Sequence, residues 1–214
     1  ILFPILVPIL VGMCLLISSF VNHIRNGNDY GHESKSELNL IHYSSVITLI
    51  VSSICAIYVA LQNGLTFTLF TLLDNISIYF QVDEISLLFV VFVSVVFVLV
   101  GIYSCTYMKH EHEQKRFFGF LLVVYGVLIA LDFSGNLLTL YFFYELMSLT
   151  SMPFVLHNGS RESIMASLKY LFYSLFGAYC VLFGIYFLNK YASTLHFTAG
   201  GALDMAVATE NGGI

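Results

Sequence analysis

Two charged residues lie in stretches that are otherwise too apolar to hold them. Glu145 is the only charge in the run 141–156, YFFYELMSLTSMPFVL, and Lys169 is the only one in the run 163–188. A charged side chain near the centre of a bilayer costs roughly 2.5 to 3.5 kcal/mol on insertion scales, and it is expected to face protein or water rather than lipid. Burial disfavours the charged form of both groups, while the approach of the opposite charge restores it. A pair poised between these effects can load and release a proton when one partner moves, with Glu145 as the modulator and Lys169 as the carrier. The competing reading is a static ion pair, or a bond to backbone freed near Pro153, that only fixes helix register.

Both readings require a membrane, and the composition supplies one. Of 214 residues, 58% are hydrophobic and 10% are charged, against about 25% charged in an ordinary soluble domain. The chain reads as an all-α, multi-pass membrane protein. Trp is absent while Phe (20) and Tyr (14) abound, so an interfacial aromatic belt falls to Tyr. The net charge of −5 says little, because orientation follows the placement of Lys and Arg.

Six stretches meet or approach the roughly 20 apolar residues that a spanning helix needs: 1–21, 40–61, 85–107, 117–131, 137–156 and 163–188. Pro4 and Pro8 fall early in the first, where a missing amide donor matters least. Asp83 and Glu84 precede the third and complement its helix dipole. Between the second and third, residues 62–83 alternate apolar and polar and break at Asp74 and Asn75, as a hairpin would; a short interfacial helix is the alternative.

The loops 22–39, 108–116 and 157–162 fall on one side and carry Arg25, Lys35, Lys109, Lys115, Arg116 and Arg161. The other side has Lys190. That bias places the three loops on the cytoplasmic or matrix side. Glu145 then lies 11 residues from Leu156, about 16 Å of helix rise, and Lys169 six residues from Ser163, about 9 Å. Consecutive antiparallel helices would let the two side chains meet directly or through one water.

Other candidates are weaker. Asp132 caps the fourth span and could serve as an ion exit, though a helix-end carboxylate is commonly just hydrated. His157, at the mouth of the fifth span, could pass protons to bulk water, or simply bond to it. The loop sequence His110 to Glu113 lacks the spacing and the further ligands of a metal site. Cys14, Cys55, Cys105 and Cys180 lie in apolar spans and read as small packing residues. Gly101, Gly126, Gly177 and Gly184 read as points of close helix contact. Pro153 is a place where backbone carbonyls are freed.

The run 136–151, NLLTLYFFYELMSLTS, followed by 166–171, ASLKYL, and by Gly177 and Gly184, is similar to the antiporter-like membrane subunits. These occur in respiratory complex I, in energy-converting hydrogenases of the group 4 or formate hydrogenlyase kind, and in Mrp-type Na+/H+ antiporters. Residues 82–89, VDEISLLF, and 195–204, LHFTAGGALD, also resemble family segments. The resemblance covers roughly 80 to 205. It implies the N-terminal part of a subunit of about fourteen helices built from inverted repeats, in which Glu145 matches the fifth-helix glutamate and Lys169 the sixth-helix lysine. The helix bearing the family's central lysine is expected beyond this sequence, in the same polypeptide or another.

Hydropathy gives two leading helices (1–61, with the polar loop 22–39) and an extramembrane hairpin or interfacial segment (62–83), and the resemblance adds a four-helix part of the translocating domain (84–188) and an outer loop (189–214). It implies a proton- or sodium-translocating subunit without a redox or catalytic site or cofactor of its own, partnered by other membrane subunits, homologous ones included, and not by nucleic acid. The setting implied is a bacterial or archaeal plasma membrane, with the mitochondrial inner membrane as the alternative. A structural scaffold remains the competing function. A substrate transporter would want broken spans in two corresponding halves, and at most one half is present.

Overall fold

The structure, a computed structural model, describes residues 1–26, 35–73, 76–110, 113–157, 159–192 and 195–197. Residues 27–34 of the loop 22–39, Asp74 and Asn75, Glu111 and His112, and residues 198–214 with Asp204 lie outside the described residues. The elements are α1 (Leu2–Asn26), α2 (Lys35–Ala60), β1 (Thr66–Leu73), β2 (Ile76–Gln81), α3 (Glu84–Tyr107), α4 (Gln114–Asp132), α5 (Leu137–Leu156) and α6 (Arg161–Tyr191), with a 3-10 turn at Met108–His110.

Among the described residues five helices are long and apolar enough to cross a membrane, namely α1, α2, α3, α4 and α6. The sixth, α5, has 20 residues and therefore the length, but Thr139, Glu145, Ser148, Thr150 and Ser151 dilute its apolar character. Several helices outrun their apolar stretches: α2 begins at Lys35 and α6 runs from Arg161 to Tyr191. Intrahelical hydrogen bonds need no lipid, so a helix continues into water until a cap stops it.

The caps are explicit where the sequence supplies short polar side chains. Asp83 accepts from the Ser86 amide at 2.7 Å to start α3, Asn136 accepts from the Thr139 amide at 2.7 Å to start α5, and Ser160 accepts from the Ser163 amide at 3.1 Å to start α6.

Strands β1 and β2 pair antiparallel, Thr66 with Gln81 and Phe67 with Phe80. Their period-2 alternation puts Ile78, Phe80 and Val82 into the core. Phe80 packs on Phe143 of α5 at 5.5 Å between ring centroids. The Tyr79 amide donates to Thr139 Oγ1, and Asn136 Nδ2 donates to the Ser77 carbonyl at 2.6 Å. The hairpin therefore clamps the start of the helix that carries Glu145.

The bundle is organised around α4, which packs against α1, α2, α3 and α5 and is mostly buried, whereas α3 and α6 are mostly exposed. The most apolar helix, α3, is peripheral, and the buried α4 carries Gln114, Gly119, Tyr125 and Gly126. Lipid does not drive helices together, so close packing and interhelical hydrogen bonds set which helix lies inside.

Glycine is required where α1 crosses α4. A Cβ on Gly119 would lie 2.8 Å from Leu16 Cγ, one on Gly126 2.7 Å from the Ile5 carbonyl oxygen, and one on Gly12 2.6 Å from the Gly119 carbonyl oxygen. Gly101 similarly admits Leu49.

Two expectations are corrected. Gly177 and Gly184 have nothing within 4 Å of an added Cβ, so they make no close helix contact here; both lie on the open side of α6. Cys14 and Cys180 are exposed on their helices rather than packed, while Cys55 and Cys105 are half-buried.

Replacing Gly126 with Leu should destabilise the α1–α4 crossing by about 1 to 3 kcal/mol, the usual cost of overpacking. Gly177→Leu should cost far less. Denaturant titration of the two variants in detergent, followed by circular dichroism, compares them.

Candidate functional site

The sequence of α5 places Glu145 in the third turn, two residues after Phe143, which the hairpin buries. Glu145 is half-buried, and its Oε1 is inaccessible and has no hydrogen-bond partner. Tyr141 lies one turn earlier on α5. Tyr179 lines an open, largely apolar cleft of about 480 Å³ together with Leu138, Phe183, Tyr186 and Leu195. The cleft opens beside the first turn of α5, seven residues before Glu145.

Lys169 is exposed on α6, eight residues from its first residue, or about 12 Å of rise. The hydroxyls of Ser151 and Tyr170 are hydrogen-bonded at 2.8 Å and fix the register of these antiparallel helices. Glu145 lies six residues to one side of that contact and Lys169 one residue to the other. The offset is seven residues, about 10 Å along the axis, wider than the sequence distances imply. Among the described residues no ion pair joins them.

Near Pro153 the helix is continuous. Thr150 Oγ1 donates to the Leu146 carbonyl at 2.8 Å and Ser151 Oγ to the Ser148 carbonyl at 3.1 Å, so local hydroxyls hold backbone oxygens on this stretch.

His157 closes α5. Its carbonyl accepts from Arg116 Nη2 at 2.9 Å, and its ring meets Phe117 edge-on at 5.8 Å. Arg116 also pairs with Glu113, a non-glycine residue held at φ 55° ahead of α4. Asp132 is the last residue of α4, and its Oδ2 is buried without a hydrogen-bond partner.

Outside the spans, Tyr79 is the most connected phenol. Its hydroxyl donates to the Gly135 carbonyl at 2.7 Å and contacts His196 Nδ1, and burial pushes its pKa above the ordinary tyrosine value. A period-2 reading of the hairpin shows Tyr79 on the face opposite Phe80. That the turn between α4 and α5, α5 itself and residue 196 converge on it was not readable from spacing.

The sequence reading missed a second polar group. His42 Nε2 and Gln114 Oε1 are 2.7 Å apart, and the Tyr125 hydroxyl lies 2.9 Å from Ser53 Oγ and 3.4 Å from Ser94 Oγ. The signal available was the shared helix face of Gln114, Tyr125 and Asp132.

The chain is similar to known proteins in sequence and fold. The family described as NADH-Ubiquinone oxidoreductase (complex I), chain 5 N-terminus, matches residues 70–118. The family described as NADH:quinone oxidoreductase/Mrp antiporter, TM, matches residues 134–212. A chloroplastic NAD(P)H-quinone oxidoreductase subunit 5 of Chara vulgaris is 32% identical over 127 residues, 58% of this chain and 19% of that protein. An Na(+)/H(+) antiporter protein of Alkalihalophilus pseudofirmus is 31% identical over 143 residues, 66% of this chain and 16% of its own. The chain thus spans less than a fifth of the length of either relative. Among solved structures, the membrane-bound sulfane sulfur reductase, an archaeal respiratory membrane complex, superposes with a TM-score of 0.68 at 16% identity, covering 90% of this chain and 37% of that one. This last likeness is one of fold.

Replacing Asn136 with Ala removes both the α5 cap and the tie to Ser77, and should cost about 1 to 2 kcal/mol. Faster amide exchange in residues 76–81 than in α4 checks it, because the hairpin loses its anchor while the core keeps its own.

Proposed function

From a chain that belongs to the antiporter-like membrane subunits shared by complex I and Mrp-type assemblies, we propose an ion-translocating subunit, with the proton as the ion and Glu145 and Lys169 as the residues that handle it. The protein is an integral, multi-pass membrane protein. The observation that carries the proposal is the unpartnered, buried Oε1 of Glu145 on a helix packed against the one bearing Lys169. A carboxyl held this way in hydrocarbon is costly unless its charge is used or neutralised.

The offset of about 10 Å suits coupling through intervening water or hydroxyls better than a fixed pair. Ser148, Ser151 and Tyr170 occupy the interval. Protonation of Glu145 removes the negative charge that favours the ammonium of Lys169, so the two groups exchange influence without touching.

Lys169 is exposed on a helix that contacts α5 on one side only. Lipid cannot be its lasting surroundings, so in the assembled complex other helices cover this face of α6. Those helices belong to the remainder of such a subunit or to its membrane partners, and electron transfer, where the complex performs it, belongs to the partners. His157 and Asp132 are secondary proton contacts at the two ends of the bundle. The membrane that fits such a subunit is bacterial or archaeal.

A scaffold with fixed charges predicts a different outcome for one set of variants. In the assembled complex reconstituted into liposomes, Glu145→Gln and Lys169→Ala should each slow driven proton flux at least about tenfold, equivalent to about 1.4 kcal/mol in a barrier. Lys169→Arg keeps the charge but cannot release a proton, and should stay slow. Normal flux in Lys169→Arg with loss in Lys169→Ala would assign the lysine a structural role.

A further inference from the structure

A row of polar side chains runs along the seam of α2, α3 and α4, away from the α5–α6 interface that holds Glu145 and Lys169. His42 pairs with Gln114 and Ser53 with Tyr125, and each pair is separated by 72 residues. The equal separation makes α2 and α4 parallel and in register. On α4 the polar positions 114, 125 and 132 recur after 11 and 7 residues, intervals near whole turns of a 3.6-residue helix, so they share one face. On α2, His42, Ser45, Ser52 and Ser53 face the same seam and are buried. From α3, buried Ser94 reaches the Tyr125 hydroxyl at 3.4 Å, and Ser86 and Ser104 are buried nearer its ends.

A seam built only to glue helices would satisfy its polar groups. This one leaves Ser45 Oγ, Ser52 Oγ and Asp132 Oδ2 buried and without hydrogen-bond partners, and each such group is costly away from water. The unpaired atoms sit beside the inner rung, beside the middle rung and at the outer end. They are the positions at which a hydrogen-bonded chain would be extended.

Two apolar intervals interrupt the row. Between Tyr125 and Asp132, about 10 Å of rise, the seam carries Ala56, Ala60 and Val90, all fully buried. Between Ser45 and Ser52 it carries Leu49, also fully buried and seated on Gly101, where an added Cβ would come within 2.6 Å of Leu49 Cδ1. The outer interval is lined by small side chains. The inner one is filled by Leu49 wedged against Gly101, with Phe118 and Leu121 of α4 buried at the same levels and Phe118 5.0 Å from the His42 ring.

We propose that this seam is a second proton route, running from Asp132 through Tyr125, Ser53 and Ser94 to the His42–Gln114 rung, with Leu49 as its seal. At each hydroxyl an O–H bond forms as a proton arrives and the existing O–H bond breaks as one leaves, so no rung changes its net charge. Asp132 takes a proton on a carboxylate oxygen and releases the same proton. The amide oxygen of Gln114 can only accept, so His42 carries hydrogen on Nε2 and keeps Nδ1 as the acceptor. Water in the outer interval beside Ala56 and Ala60, and water admitted where Leu49 yields, complete the chain, and the proton that His42 takes on Nδ1 leaves from there to water at the inner end. The route uses neither Glu145 nor Lys169 and shares only Asp132 with the translocation proposed above.

The test reads passive proton leak in liposomes holding the assembled complex, with no driving substrate and in a Glu145→Gln background. Leu49→Ser should raise the leak about tenfold, and adding Tyr125→Phe or Asp132→Asn should return it to the starting value. Should Leu49→Ser fail to assemble, Leu49→Thr keeps more of the volume and carries the same expectation. A leak unchanged by the polar substitution, or one that persists after both Tyr125→Phe and Asp132→Asn, overturns the proposal. The Glu145→Gln background makes this result separate from the fate of the Glu145–Lys169 reading.

Discussion

Hydrocarbon offers no hydrogen bonds, so each polar group on a spanning helix must be met by another helix or carry a lasting penalty. This constraint places α4 at the centre. It is among the less apolar of the spans, and its Gln114 and Tyr125 are met by His42, Ser53 and Ser94 on α2 and α3. The oiliest helix, α3, lies at the edge, where lipid is an adequate solvent for Phe92 and Leu99. Glycines at the α1–α4 crossing let those two backbones approach.

Much of the fold was legible in the sequence because hydropathy reports directly on what lipid tolerates. The six helices, the acidic start of α3 at Asp83 and Glu84, and the alternation within 62–83 all follow from local pattern. Helix ends were harder. Arg161 and Lys35 read as loop yet are helical, since a polar residue outside the lipid can continue a helix as easily as end it. Gly177 and Gly184 looked like Gly126, but only a neighbouring helix can tell a packing glycine from an open one, and α6 lacks that neighbour on this side.

The site was legible in part. Glu145 and Lys169 stand out because a charge in an apolar run is conspicuous. Their offset was not, since the Ser151–Tyr170 contact that sets the α5–α6 register depends on how two helices slide against each other. The seam at Tyr125 was overlooked for a related reason. Serine and tyrosine are ordinary in membrane helices, and His42, Ser53 and Ser94 become a group only when three helices are brought together. The equal 72-residue separation is visible only after folding.

The central claim is that Glu145 and Lys169 act as one unit across the α5–α6 interface. A double-mutant cycle on driven proton flux tests it most directly, comparing Glu145→Gln, Lys169→Ala and the double variant in the same assembled complex. The account predicts that the double variant is no slower than the slower single variant, because the second substitution removes a partner already made useless. Losses that multiply independently would contradict it.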